Sequence, residues 1–228
     1  MAADLFDLSD EYEAMLRMGV DLSGEDPAYF LRGRVADMMR ALPASWKPAR
    51  ILDFGCGTGE SSAYLAEKYA SAVVVGVDTS ESAVERARRR HGSARVQFGA
   101  IEALAGEPAF DLCYVNGVFH HIEPARRLEA VRAIHMALAP GGFFALFENN
   151  PWNPGTRMVM SRIPFDRDAR TLSFGETRKL IKTGGFRVAQ AARFLFYFPR
   201  ALALLRVLEP ALVRLPLGAQ YCVLGIKK

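Results

Sequence analysis

From residue 50 onward the chain alternates short apolar blocks with longer stretches of helical period. Arg50–Phe54, Ala72–Val77, Arg95–Phe98, Phe110–Asn116 and Phe143–Glu148 are brief runs rich in β-branched and aromatic residues. Turn residues bound them, which predicts buried strands. Glu60–Tyr69, Ser80–Arg90 and Pro124–Leu138 read as the intervening helices; Pro124 opens the last and Pro140-Gly141-Gly142 closes it. Ser173 and Glu176 frame a capping box for a helix reaching Thr183, stopped by Gly184-Gly185. Phe186–Phe194 and Gln220–Ile226 complete the strands. Ahead of this pattern, residues 9–22 predict a short helix capped by Ser9 or Asp10, and Pro27–Leu42 a second. Asp26 is its N-cap, and Pro27 takes the first helical position, where a missing N–H costs nothing. The reading is a helical lid over 1–46, a linker between Pro43 and Pro48, and one α/β domain over 47–228.

Strands alternating with helices form an open, mostly parallel sheet covered on both faces, and ligands sit beyond the carboxyl ends of its strands. The residues after each strand therefore matter most. After the first comes Gly55-Cys56-Gly57-Thr58-Gly59, where glycines permit a tight turn and let the backbone approach a ligand. Asp78 ends the next strand, about 20 residues on, where a carboxylate can accept both hydroxyls of a ribose. A dinucleotide site wants a small residue where Glu60 stands, and that carboxylate would repel a pyrophosphate. A cationic or zwitterionic nucleoside meets no such repulsion.

Composition narrows the class. Half of the 228 residues are apolar and 24% are charged, as in a globular protein with its own core. Cys56, Cys113 and Cys222 are far apart and odd in number, so neither a disulfide framework nor a metal site is expected, and a reducing cytoplasmic setting fits. No basic-then-apolar leader opens the chain, and no apolar run approaches the roughly 18 residues of a membrane span. Charge is uneven: residues 1–31 hold eight acids and one base, residues 157–228 fourteen bases and four acids. A basic end attracts anions such as nucleic acid or a membrane, or simply faces the acidic head.

At these residues the chain resembles a known superfamily. ILDFGCGTGESSAYLA followed by VVVGVDTSESAVERAR is similar to the first two motifs of the class I S-adenosylmethionine-dependent methyltransferases. NGVFHHIEPARRLEAVRAIHMALAPGGFFAL resembles the later part of that pattern, as found in small-molecule enzymes of the ubiquinone/menaquinone-biosynthesis type. The resemblance spans about residues 48–148 and implies a Rossmann-like seven-stranded sheet with an antiparallel last strand, and S-adenosyl-L-methionine as cofactor. It further implies that Asp53 orients the glycine loop and approaches the methionine ammonium, and that Gly55, Cys56 and Gly57 line the methionine by backbone. Asp78 would hold the ribose and Thr79 would flank the adenine. Asn116 and Gly117 would face the sulfonium. One departure stands out: Ala100 occupies the place of the family's usual adenine-binding acid. That leaves Ile101 packing and backbone contacts, or Glu102 if the turn is shifted.

Displacement at a sulfonium releases a neutral leaving group, so proximity and alignment supply most of the rate. A base is needed only for a nucleophile that holds its proton, and His120 and His121 are the candidates; each could instead cap a helix or pack under the loop. Glu148, Asn149 and Trp152 open a long connection over 149–172 and are candidate substrate contacts, and within it the Pro164-Phe165-Asp166-Arg167 stretch is a candidate lining of the same pocket. Its Asn-Pro-Trp sequence is only superficially similar to the motif of base-amino methyltransferases, which follows the fourth strand, so no nucleic-acid substrate is expected. Tyr12 and Tyr29 offer substrate contacts from the lid, and Arg34 a fork for the methionine carboxylate. Over 199–217 an apolar stripe (Ala201, Leu204, Leu205, Leu208, Ala211, Leu212, Leu215) stands opposite Arg206 and Arg214. It would cover core, form a homodimer interface, or contact a membrane or lipid. The leading expectation is a methyltransferase acting on a small molecule at oxygen. The alternatives are an RNA methyltransferase using the basic C-terminal third, and a catalytically idle cofactor-binding scaffold.

Overall fold

The computed structural model describes residues 19–106, 109–166, 168–189 and 193–228. The expected first helix and Tyr12 lie largely or wholly outside them. In chain order the elements are α1 (Pro27–Ala41), β1 (Arg50–Phe54), α2 (Glu60–Lys68), β2 (Val73–Asp78), α3 (Glu81–His91), β3 (Val96–Ala100) and β4 (Phe110–Asn116). There follow α4 (Arg127–Ala137), β5 (Leu138–Asn149), α5 (Pro154–Arg162), α6 (Phe174–Thr183), β6 (Phe186–Val188), β7 (Arg193–Leu195), α7 (Glu209–Leu212) and β8 (Gln220–Lys227). Asp26 caps α1, its carboxylate accepting from the Tyr29 amide at 2.7 Å, and Ser173 and Glu176 form the expected box on α6.

Among the described residues one sheet carries eight strands, in the order β3-β2-β1-β4-β5-β8-β6, with β7 also pairing with β8. β1 to β5 run parallel, while β8 runs antiparallel to β5, β6 and β7. The expected count of seven rises by one because the run Phe186–Phe194 is two short strands that engage β8 in different registers. The connection 149–172 is likewise no plain loop: it holds α5, capped by Asn153 and opened by Pro154.

Two apolar clusters sandwich the sheet, one around Ile51, Leu65, Tyr114 and Phe147, the other around Leu52, Phe119, Phe144 and Val223. α1 sinks Leu31, Val35 and Met38 into the first. Buried Asp37 on α1 pairs with Arg193 on β7, whose Nε donates to Oδ2 at 2.9 Å, so α1 is moored to the sheet. No described helix is long and apolar enough to cross a membrane.

Candidate active site

At the carboxyl edge of the parallel strands a crevice of about 600 Å³ opens over β1, β2 and β4. This is the size range of small-molecule sites. Gly55 and Gly57 form its floor and Asp78, Thr79 and Ser80 one wall. Ile101 and Glu102 close the adenine end implied by the resemblance, while Asn116, Gly117, Val118 and His121 form the far wall.

The glycine turn is fixed by the neighbouring strand. The Gly55 and Cys56 amides both donate to the Val77 carbonyl, at 2.8 and 3.0 Å. Gly55 has φ +77°, and a Cβ there would lie 2.3 Å from Val118 Cγ2, so it serves packing. Gly57 has φ +51° with nothing within 4 Å of its would-be Cβ, which leaves an open cradle over the turn. Its amide donates to Asp78 Oδ2 at 2.8 Å, and the Ser80 amide to Oδ1 at 3.0 Å. A carboxylate offers about four acceptor sites, so two remain for a diol. On the opposite wall Asn116 Oδ1 is buried and has no hydrogen-bond partner among the described residues. An orphaned acceptor in a cleft calls for a donor such as an ammonium or hydroxyl. The crevice also presents Asp78, Glu102, Glu123 and Glu129 against the single guanidinium of Arg126. That balance favours a cationic ligand. The residues present therefore fit an aminoacyl-nucleoside sulfonium.

Several expected residues stand elsewhere. Asp53 is buried beneath the turn, accepting from Ser62 Oγ at 2.6 Å, and burial pushes its carboxyl up to about 7. Cys56 is buried, with its thiol driven up by burial, so it lends backbone only. Ala100 ends β3 beside Asp78, and Glu102 rather than Ala100 reaches the crevice, the shifted-turn alternative. Arg34 is buried on α1, its Nε donating to the Tyr114 hydroxyl at 3.2 Å and Nη1 to Gln220 Oε1 at 3.2 Å; it does not line the crevice. Tyr29 packs edge-on against Phe30 and Tyr197, under the Arg206 guanidinium. Asn149 accepts from Gln220, and Trp152 is exposed away from the crevice.

The two histidines separate in role. His120 is buried, with Nδ1 2.6 Å from Glu148 Oε2 and Nε2 3.6 Å from Asp166 Oδ1. Burial opposes its charge, but Glu148 and Asp166 prevail and push the imidazole up to about 10. Fully buried Glu148 also accepts from the Phe119 amide at 2.8 Å, so it braces the turn after β4 and does not line the crevice. His121 lines the crevice; burial, then the charge on His120, press it down to about 4. Its Nε2 lies 3.5 Å from Asp166 Oδ1. His120, His121 and Asp166 place one ligand atom each within 4.8 Å, a spacing that could receive a divalent ion if His120 gave up its proton. As protonated, His120 makes the cluster an ion network that fixes the crevice wall. Sequence reasoning had Asp166 only within a candidate pocket-lining stretch and missed its pairing with the histidines and the bracing role of Glu148, the acid near the end of β5.

Comparison with known proteins agrees with this geometry. Residues 51–142 match the family described as "Methyltransferase domain". A trans-aconitate 2-methyltransferase of Methylobacterium nodulans is 33% identical over 129 residues, 54% of this chain and 47% of that protein. The match spans about half the length of such curated relatives. Among solved structures, an S-adenosylmethionine-dependent methyltransferase of Thermotoga maritima superposes with TM-score 0.66 at 19% identity, covering 98% of this chain and 97% of that one. A TehB-like methyltransferase of Corynebacterium glutamicum gives TM-score 0.61 at 20% identity, covering 96% and 98%. The resemblance read from the motifs is thus borne out: residues 51–142 match the methyltransferase-domain family, and the fold is shared with solved S-adenosylmethionine-dependent methyltransferases.

Proposed function

We propose that the protein transfers a methyl group from S-adenosyl-L-methionine to an oxygen of a small acceptor, one that arrives already deprotonated, such as a carboxylate. The observation that carries this reading is the pairing, across one acidic crevice, of Asp78 with its spare acceptor sites and the orphaned Asn116 Oδ1. The cofactor supplies an electrophilic methyl on a sulfonium, whose departure leaves a neutral thioether. Asp78 would take the ribose and Asn116 the methionine ammonium. Ile101 and Glu102 would flank the adenine. His121 bears on the acceptor. A base works best when its pKa lies near the operating pH, and an imidazole near 4 is a poor taker of an alcohol proton. It remains neutral and can orient an oxygen that needs no deprotonation. The naming of relatives as trans-aconitate methyltransferases is consistent with an acid acceptor.

Calorimetry with S-adenosylmethionine and S-adenosylhomocysteine tests the cofactor. Binding of both is expected, weakened about 10- to 100-fold by Asp78→Asn, the worth of one hydrogen bond to a charged group. Absence of binding to the unaltered chain refutes the reading. Labelled-methyl transfer to di- and tricarboxylates, compared with phenols and alcohols, then tests the acceptor class.

A further inference from the structure

The segment between β7 and β8 does the reverse of what a folded chain does with leucines. Over residues 200–208 it is a 3-10 helix kinked at Leu202, and none of its residues is buried. Leu204 is 90% exposed and Val207 80%. The stripe read from the sequence therefore does not cover core. Its polar atoms, not its apolar ones, face inward. Arg206 pairs with Glu25 at 2.7 Å and donates to the Phe198 carbonyl at 3.0 Å, and Glu209 accepts from the Phe198 amide at 2.7 Å. The apolar side chains are thus held outward on an anchored frame.

A second apolar group stands where the chain leaves β5 and where it approaches β8. Trp152 is 61% exposed and Leu217 59%, with Leu215 exposed as well. The stretch carrying Trp152 is stapled to the one carrying Leu217: Asn153 Nδ2 donates to the Leu217 carbonyl at 2.7 Å, and Asn150 Nδ2 to that of Gly218 at 2.8 Å. Both stretches depart from the carboxyl end of β5 and the start of β8, on the same edge of the sheet as the crevice. Scattered exposed leucines are ordinary, but several on adjoining anchored segments form a contact surface.

Charge decides the occupant. Arg200 and Arg214 lie on the segment between β7 and β8, and Arg157 and Arg162 on α5, which follows Trp152; all four are exposed and have no ion-pair partner among the described residues. A second copy would bring like charges against like, whereas an anionic bilayer offers apolar depth beneath a negative surface. We propose that this face docks the protein on anionic lipid membranes, with Leu204, Val207 and Trp152 entering the interface and the four arginines resting among the headgroups. Membrane docking here is independent of the chemistry in the crevice, so it stands or falls on its own measurement.

The test is flotation of the full chain with vesicles of phosphatidylcholine alone and of equal parts phosphatidylcholine and phosphatidylglycerol. Recovery with the anionic vesicles is expected, falling steeply with added salt. Each arginine near the surface is worth about fivefold in partitioning, so Arg200→Glu/Arg214→Glu should lose at least about twentyfold. Leu204→Glu/Val207→Glu, at solvent-facing sites, should fold normally by circular dichroism yet fail to float. The inference is overturned if the unaltered chain stays with neither vesicle, or if the Leu204/Val207 variant floats undiminished. It is equally overturned if sedimentation equilibrium finds a dimer that this variant dissolves, since the face would then belong to a second copy.

Discussion

Replacing Glu148 with glutamine tests whether the wall of the crevice is an ion network. The substitution keeps the shape and the acceptor for the Phe119 amide, but removes the negative charge 2.6 Å from His120 Nδ1. Both side chains are buried, so water cannot take the carboxylate's place. Removing one partner of such a pair costs about 3–5 kcal/mol, because the remaining charge stays desolvated or must be neutralised. Here Asp166, 3.6 Å from Nε2, retains part of the attraction, which points to the lower end of that range. For a chain of this size 3 kcal/mol lowers Tm by roughly 6–12 °C. The pH dependence is more specific. His120 has its folded pKa raised to about 10 from an ordinary value near 6.5. Its contribution is fully present below about 6.5 and is lost as pH rises through 10. Urea denaturation between pH 6 and 10 should therefore show the unaltered protein losing stability as pH rises, and Glu148→Gln showing a lower and flatter profile. Parallel profiles, or a loss below about 1 kcal/mol, would refute a charged His120 and leave the cluster a set of neutral hydrogen bonds.

Gly55→Ala and Gly57→Ala should separate packing from binding. The first strains φ +77° and strikes Val118, costing about 2–5 kcal/mol in a denaturant titration. The second meets open space and costs only about 1–2 kcal/mol, yet it should weaken S-adenosylhomocysteine in calorimetry by tenfold or more. Asp53 has its carboxyl raised by burial to about 7, so the folded state holds that proton more tightly than the unfolded chain. Its effect is to make stability fall as pH rises from about 4 to 7, and Asp53→Asn should remove that slope while leaving the Ser62 contact possible.

What was legible in the sequence followed the reach of each signal. Strand periodicity and caps are local, so β1 to β4, α1 and the box at Ser173 emerged nearly to the residue. The glycine turn with Asp78 is local too, because both lie at the ends of adjacent strands joined in register. The helix over Pro154–Arg162 was also written locally, as Asn153 before Pro154, the same N-cap and first-position pair that marked Asp26-Pro27. There the expectation of a loop outweighed it. Side-chain destinations are a different matter. Arg34 and Glu148 have residue types suited to ligands, yet their partners come from 80 and 28 positions away, Tyr114 and His120. No pattern along the chain announces such pairs. A buried ionisable group must find a partner, and the topology, not its sequence neighbours, decides which. The adjacent histidines make the point most sharply. One peptide bond apart, they are driven in opposite directions: burial and then the charge on His120 press the second ring down, whereas at the first Glu148 and Asp166 overcome burial. Division of labour at this wall is therefore a property of the fifth strand's tip, and a substitution at Glu148 should alter His121, which it never touches.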